Sequence, residues 1–217
     1  MKKSKILSII VIISLCIFIL TFSISLPILI RPFYYWQINS LNIVKTSGFD
    51  YATIKEAYNC MLDYCIGLTD KFSCGTLKYS LDGMNHFTDC RTLFILDFIL
   101  LFISALILII IHCLKKRKKV DLYYFNGHTN GYYSGKITLV SFITIVLLSI
   151  GDFNRTFTIF HKIFFPNKSN WLFDPRYDQI ILILPEKFFM NCAIFIVIVL
   201  LSISIFLLIR DYKKKNL

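Results

Sequence analysis

Apolar and polar residues alternate along this chain in blocks. Apolar runs cover about residues 6–30, 93–113, 137–156 and 190–209, with polar segments between them. A helix needs about 20 apolar residues to cross a bilayer, and each run comes near that length. The pattern predicts an all-α membrane protein, residues 1–217 forming one integral membrane domain with four transmembrane helices. The polar segments 31–92 and 157–189 then lie on one side of the membrane and 114–136 on the other.

Shorter patterns fill these segments. Arg31-Pro32 ends the first run, and Phe33-Tyr34-Tyr35-Trp36 reads as an interfacial aromatic belt. Thr53 and Glu56 have capping-box spacing, and Ile54, Ala57, Tyr58, Met61, Leu62, Cys65 and Ile66 recur at helical spacing. That stripe predicts a helix with one buried face, stopped at Gly67. Asp174-Pro175 predicts a short helix, apolar through 180–184, broken at Pro185, and lying on or dipping into the membrane. The two outer loops are thus expected to form a small helical cap.

Charge orients the bundle. A net charge of +11 accompanies 56% hydrophobic residues and a mean hydropathy of +0.65. The basic residues gather beside the apolar runs: Lys2, Lys3 and Lys5, the block 115–119, Lys136, Arg210, and Lys213-Lys214-Lys215. This is the pattern of topology anchors, so the lipid bilayer is the expected partner and nucleic acid is not. Most acidic residues fall in 31–92 and 157–189. The positive-inside rule places both termini and 114–136 in the cytoplasm, with the two other segments outside the cell membrane. The first run is too long for a signal peptide and lacks a small-residue cleavage site. It is expected to remain as a helix.

Of the four histidines, His86 and His161 fall on the outer side, each near a span end. Histidine takes and returns protons near neutral pH, and the two are expected to meet as a catalytic pair. Asp89 shares a helix face with His86 and would orient its imidazole. Asp97 lies inside the second run, where an ionisable group needs a partner; Arg155 or Arg91 is expected to supply it. His112 and His128, on the inner side, read as structural. There is no nucleophile elbow, no phosphate-binding glycine loop and no spaced metal-ligand set, so neither cofactor nor metal is expected. Cys60, Cys65, Cys74 and Cys90 share the first outer loop as structural disulfides or plain thiols. A membrane thiol oxidoreductase would ordinarily show a C-x-x-C, which is absent. A non-enzymatic four-span scaffold is the other alternative.

Four stretches taken in order carry a further likeness. They are Glu56-Ala57-Tyr58-Asn59 with Leu62-Asp63-Tyr64; Tyr79-Ser80 leading to His86-Phe87-Thr88-Asp89; Phe160-His161-Lys162-Ile163-Phe164-Phe165; and 167–171 with Phe173-Asp174-Pro175 and Pro185-Glu186. In these the chain resembles, over essentially its whole length, the lipoprotein intramolecular transacylase (Lit) family of Gram-positive bacteria. The resemblance implies an acyltransferase acting on a diacylglyceryl lipoprotein. It moves the sn-2 acyl chain to the α-amine of the N-terminal cysteine and leaves a lyso-form lipoprotein. His86 and His161 stand where the family has its two histidines. Donor and acceptor belong to one substrate molecule, so the enzyme acts mainly by folding that molecule on itself. Arg91 and Arg155 are then candidates to stabilise the oxyanion, and Tyr79 and Trp171 to orient substrate. The chain departs from the family in Cys90, and in Arg91 where lysine is common.

Overall fold

The computed structural model describes residues 3–149 and 152–215, without the side chains of 145–149. Lys2 of the expected anchors, and Ile150 and Gly151 of the expected third span, lie outside the described residues. The helices are α1 (Lys5–Leu29), α2 (Arg31–Ser40), α3 (Ile43–Ser47), α4 (Tyr51–Cys65), α5 (Leu81–Lys116), α6 (Asn130–Ser149), α7 (Phe153–Phe164), α8 (Ile180–Ile183) and α9 (Glu186–Lys215). A two-residue parallel bridge joins Lys3–Ser4 to Asp121–Leu122. The chain divides into two compact units. One is Met1–Leu26, Asp97–Leu148 and Phe195–Leu217, and the other is Pro27–Leu96 and Ser149–Ile194.

The first unit is built from apolar helix segments. Among the described residues, α1, α5 and α9 are long and apolar enough to cross a membrane. They leave Ile6, Ile13, Phe102, Ile109, Ile198 and Phe206 exposed, an apolar surface that lipid covers and water would not. Helices meet through small and polar residues, as expected where apolar surface gives no drive to associate. A Cβ on Gly135 would stand 2.8 Å from the Ser204 carbonyl, so α6 and α9 approach closely there. Beside it the Thr138 and Ser204 hydroxyls are 2.8 Å apart, and the Ser134 hydroxyl donates to the Ile12 carbonyl at 3.1 Å.

Asp97 departs from expectation. Its carboxylate accepts from the Ser25 hydroxyl of α1 at 2.6 Å, so a serine, not an arginine, satisfies it. Arg91 is engaged elsewhere, donating to the Thr69 carbonyl at 2.7 Å and to Asp70 at 3.1 Å. His128 is held on both ring nitrogens: Asp211 lies 2.6 Å from its Nδ1, Lys215 2.9 Å from its Nε2, and Tyr132 stacks on its ring.

The second unit has a conventional core of buried residues from α2, α3, α4, the start of α5 and α8. Six of the seven stripe residues, from Ile54 to Cys65, are buried on α4 as the periodicity predicts; Ile66 caps the helix half-buried, and Gly67 follows at φ +82. The cap differs. Asp50, not Thr53, starts the helix, accepting from the Thr53 backbone N–H at 2.9 Å and from its hydroxyl at 2.8 Å. Nor is the aromatic run a uniform belt. It lies on α2, so Tyr34 turns inward, stacks on Tyr58 at 3.7 Å and donates to the Ile183 carbonyl at 2.7 Å, while Trp36 is 63% exposed.

Two further expectations change. The apolar segment after Asp174 forms only the short α8, and Ile180 and Ile183 are fully buried in the core, so they do not face lipid. Asp174 closes a turn on Arg176 instead of starting that helix. The third run is not one helix either. α6 begins already at Asn130, and Asp152 caps a separate α7 by accepting from the Arg155 backbone N–H at 3.0 Å.

Candidate active site

Two helices of the second unit bring His86 and His161 together. His86 lies in the polar turns of α5 ahead of its apolar run, and His161 lies near the end of α7. Their ring centroids are 5.7 Å apart, and the residues are only 5% and 6% exposed.

Aromatic rings enclose the pair. Phe165 and Phe173 meet His86 edge-on at 5.0 and 5.4 Å. Phe157 and Trp171 lie 4.2 and 4.7 Å from His161, and Phe160 closes another side at 5.5 Å. The strongly amphipathic pattern of α7 explains its part in this. Phe157, His161 and Phe165 follow at four-residue spacing, so one face carries the histidine between two phenylalanines.

The hydrogen bonds of the two rings are complementary. His161 Nδ1 lies 2.8 Å from the Phe157 carbonyl, which can only accept. The proton is therefore assigned to Nδ1, and Nε2 is left with its lone pair. His86 is held the other way round. Its Nε2 lies 3.5 Å from Cys90 Sγ, and its Nδ1 is buried without a partner among the described residues. Burial pushes Cys90 up to about 12, so it stays a thiol and can donate to Nε2.

Burial favours the neutral form of both imidazoles. Burial lowers His86 to about 4, with His161 and Lys168 adding to the effect and Asp89 opposing it. Burial also lowers His161, against the pull of the Phe157 carbonyl.

The other expected residues are placed as follows. Asp89 does not hydrogen-bond His86. It accepts from Lys168 at 2.6 Å and Asn170 at 3.0 Å, because the loop after α7 brings both donors across its helix face. Burial works to raise the Asp89 carboxyl, but these bonds keep it below the usual carboxylate range. Arg91 also lies over the Tyr64 ring at 4.8 Å. Arg155 is exposed in the first turn of α7. Tyr79 packs edge-on to Phe72 at 4.9 Å and is 43% exposed. Trp171 does reach the pair, and its Nε1 donates to the Lys168 carbonyl at 3.0 Å.

The sequence reading did not foresee Cys90 as the partner of His86, Asn170 as the partner of Asp89 or the phenylalanines as walls of the site, and it did not single out Asp178. Asp178 is 4% exposed and accepts from the Ser80 backbone N–H at 2.8 Å and from its hydroxyl at 2.9 Å, fixing the start of α5. All seven cysteines are free thiols. Burial raises Cys65 and Cys74, the latter to about 11, which is the wrong direction for redox chemistry. No group of three or more His, Cys, Asp or Glu residues placed to hold a metal occurs among the described residues.

The sequence profile of the lipoprotein intramolecular transacylase Lit family matches residues 9–189. The chain belongs to that family. Its fold is similar to the solved structure of the membrane-integral lipoprotein intramolecular transacylase Lit from Bacillus cereus, with TM-score 0.84 and 27% identity over 97% of this chain and 96% of that one. Two structures of the same Bacillus enzyme with one histidine replaced, by arginine or by alanine, each match with TM-score 0.78 and 26% identity over 97% of this chain. No curated protein sequence gives a significant match. Membership in the Lit family makes this chain an acyltransferase. It carries an acyl chain within one lipoprotein, from the sn-2 glycerol oxygen to the α-amine of the N-terminal cysteine. With its apolar helices it is a multi-pass membrane protein.

Proposed function

We propose that His161 is the proton-transfer group of this reaction and His86 its oxyanion donor. The observation that carries the assignment is the complementary bonding of the two facing rings. His161 Nε2 takes a proton from the amine as nitrogen attacks the sn-2 ester carbon. The C–N bond forms, and the carbonyl oxygen takes up the electron pair. His86, neutral at working pH, donates its Nδ1–H to that oxygen. A neutral imidazole serves here because a depressed pKa keeps it from carrying charge. The C–O bond to glycerol then breaks, and the imidazolium of His161 gives its proton to the departing oxygen. Both histidines end as they began. An amine enclosed by aromatic rings also loses some preference for its ammonium form, which narrows the gap between it and a weakly basic histidine.

Trp171 and Tyr79 are proposed to bound the substrate. Asp89 acts through Lys168 and Asn170. Arg91 and Arg155 are proposed to support the site at its edges, Arg91 by tying the 69–70 turn to α5. Asp97 is proposed to hold α5 to α1 through Ser25. Four spans, with both termini cytoplasmic and the histidines on the extracytoplasmic face, are supported by the distribution of lysine and arginine.

The test is mass spectrometry of lipoprotein N-termini in cells carrying each variant, with protein level checked in the membrane fraction. His161→Ala and His161→Gln should each lose about 10²–10⁴-fold in rate. His86→Ala should lose about 10²–10³-fold, and His86→Asn, which keeps an N–H donor, should retain more. Wild-type product from a well-expressed His161→Gln variant would exclude His161 as the base.

A further inference from the structure

Asn170 carries a second unpartnered atom at this site. Its Nδ2 donates to Asp89 Oδ2 at 3.0 Å, and Lys168 holds the other oxygen of Asp89 at 2.6 Å. A carboxylate only accepts, so the amide nitrogen must face Asp89 and the carbonyl oxygen must face elsewhere. That oxygen, Oδ1, is buried and meets no donor among the described residues. Buried polar atoms are nearly always paired, so an orphan held this firmly calls for a ligand that donates.

The loop is built to hold it still. Lys168 N–H donates to the Phe165 carbonyl at 3.2 Å, Leu172 N–H to the Ser169 carbonyl at 3.0 Å, and Asn167 turns the chain at φ +61. Asn170 is tied to α5 one turn beyond His86. Its chain neighbour Trp171 lies on the His161 ring. The loop that carries the orphaned acceptor is thus tied to the helix of His86 on one side and to the ring of His161 on the other.

We propose that Asn170 Oδ1 is the acceptor that holds the α-amine of the substrate cysteine. The proposal rests on the transacylase mechanism above. A primary amine has two N–H bonds and one lone pair. One N–H goes to Asn170, the other faces His161 Nε2, and the lone pair is left for the ester carbon. A neutral acceptor suits this position. A carboxylate would favour the ammonium form, whose lone pair is occupied. Asp89 is kept from that role by its bonds to Lys168 and Asn170.

The experiment compares two unreactive ligands, diacylglyceryl-cysteine peptides with an ether in place of the sn-2 ester. One has a free amine and the other carries hydrogen in place of the amine. Binding to purified wild-type protein and to Asn170→Ala is measured by calorimetry in detergent. The free-amine ligand should bind Asn170→Ala about tenfold or more weakly, the worth of a hydrogen bond to a charged or polarised donor. The ligand without the amine should bind both proteins alike. Undiminished binding of the free-amine ligand overturns the proposal, and so does an equal loss for both ligands. If Asn170→Ala fails to fold, Asn170→Ser carries the same comparison, since its short hydroxyl stops well short of the amide oxygen's place. A wild-type protein that forms no lyso-lipoprotein refutes the mechanism itself. An active wild type with unchanged Asn170→Ala binding refutes only the role of Asn170.

Discussion

Gly83 offers the sharpest structural test of how the site is held. It lies in the first turn of α5, one turn before His86. A Cβ there would overlap Asp178 Oδ1 and stand 3.0 Å from its Cγ and 3.2 Å from Phe173 Cε1. Asp178 cannot yield cheaply, because its buried carboxylate binds both the backbone N–H and the hydroxyl of Ser80. Ser80 Oγ in turn accepts from the Gly83 N–H at 3.0 Å. Gly83→Ala must push the carboxylate off Ser80. Hydrogen bonds to a charged group contribute about 1.5–3 kcal/mol each, so losing two costs about 3 kcal/mol or more. The Tm in detergent should fall by about 5–10 °C. Lyso-lipoprotein formation should fall with it, since Phe173 also borders His86. The double variant with Asp178→Ala identifies the cause. With the carboxylate gone, the added methyl should cost little beyond Asp178→Ala alone. A wild-type Tm for Gly83→Ala, or fully additive losses in the double variant, would refute the argument.

Three more outcomes are expected. At saturating substrate the rate should fall with acid only below the ordinary histidine pKa of about 6.5, because burial lowers both rings and His161 must be neutral to act as base; kcat/KM also follows the free substrate α-amine, at about 7.7–8.0, so it is a kcat limb at or above the histidine value, unmoved when the substrate amine is made less basic, that counts against His161. Asp97→Ala should lower the Tm by more than Asp70→Ala, because Asp97 is buried and satisfied by Ser25 while the Asp70 side chain is 98% exposed; equal Tm values would show the buried bond to be unimportant. A reporter fused near Asn126 should be cytoplasmic and one near Gly75 external, and the reverse pattern would invert the proposed orientation of the site.

The long helices were legible because a run of about 20 apolar residues matches the thickness of a bilayer and seldom occurs in water-soluble domains. The α4 stripe was legible for the same kind of reason, since seven positions repeat at one spacing. His86 and His161 could be singled out by the side of the membrane on which charge places them, and the structure does bring them together. What surrounds them could not be read. Asp89 shares a helix face with His86, but spacing does not reveal that a loop 79 residues later brings Lys168 to it. Asp97 was assigned an arginine because sequence shows charge, and the serine of another helix that satisfies it carries none. Tyr34 looked like a membrane anchor because four aromatics in a row hide the helical turn that points one of them inward. Local signals define elements, while partners distant in sequence depend on how those elements pack.

The phenylalanine and tryptophan walls around the histidines have a consequence for fidelity. An ester placed beside a general base in open water would be hydrolysed, and the acyl chain would leave as a free fatty acid. In the proposed mechanism no covalent bond to the acyl chain forms, so the enzyme does not protect the acyl group by holding on to it. Protection has to come from keeping water away. Phe157, Phe160, Phe165, Phe173 and Trp171 pack around the two rings, and in the proposed mechanism that wall leaves the bound amine as the nucleophile best able to reach the ester. On that mechanism the division between amide and fatty acid is decided by side chains that take no part in moving protons. Thinning that wall at Trp171 would show as lost acyl chains before it showed as lost turnover.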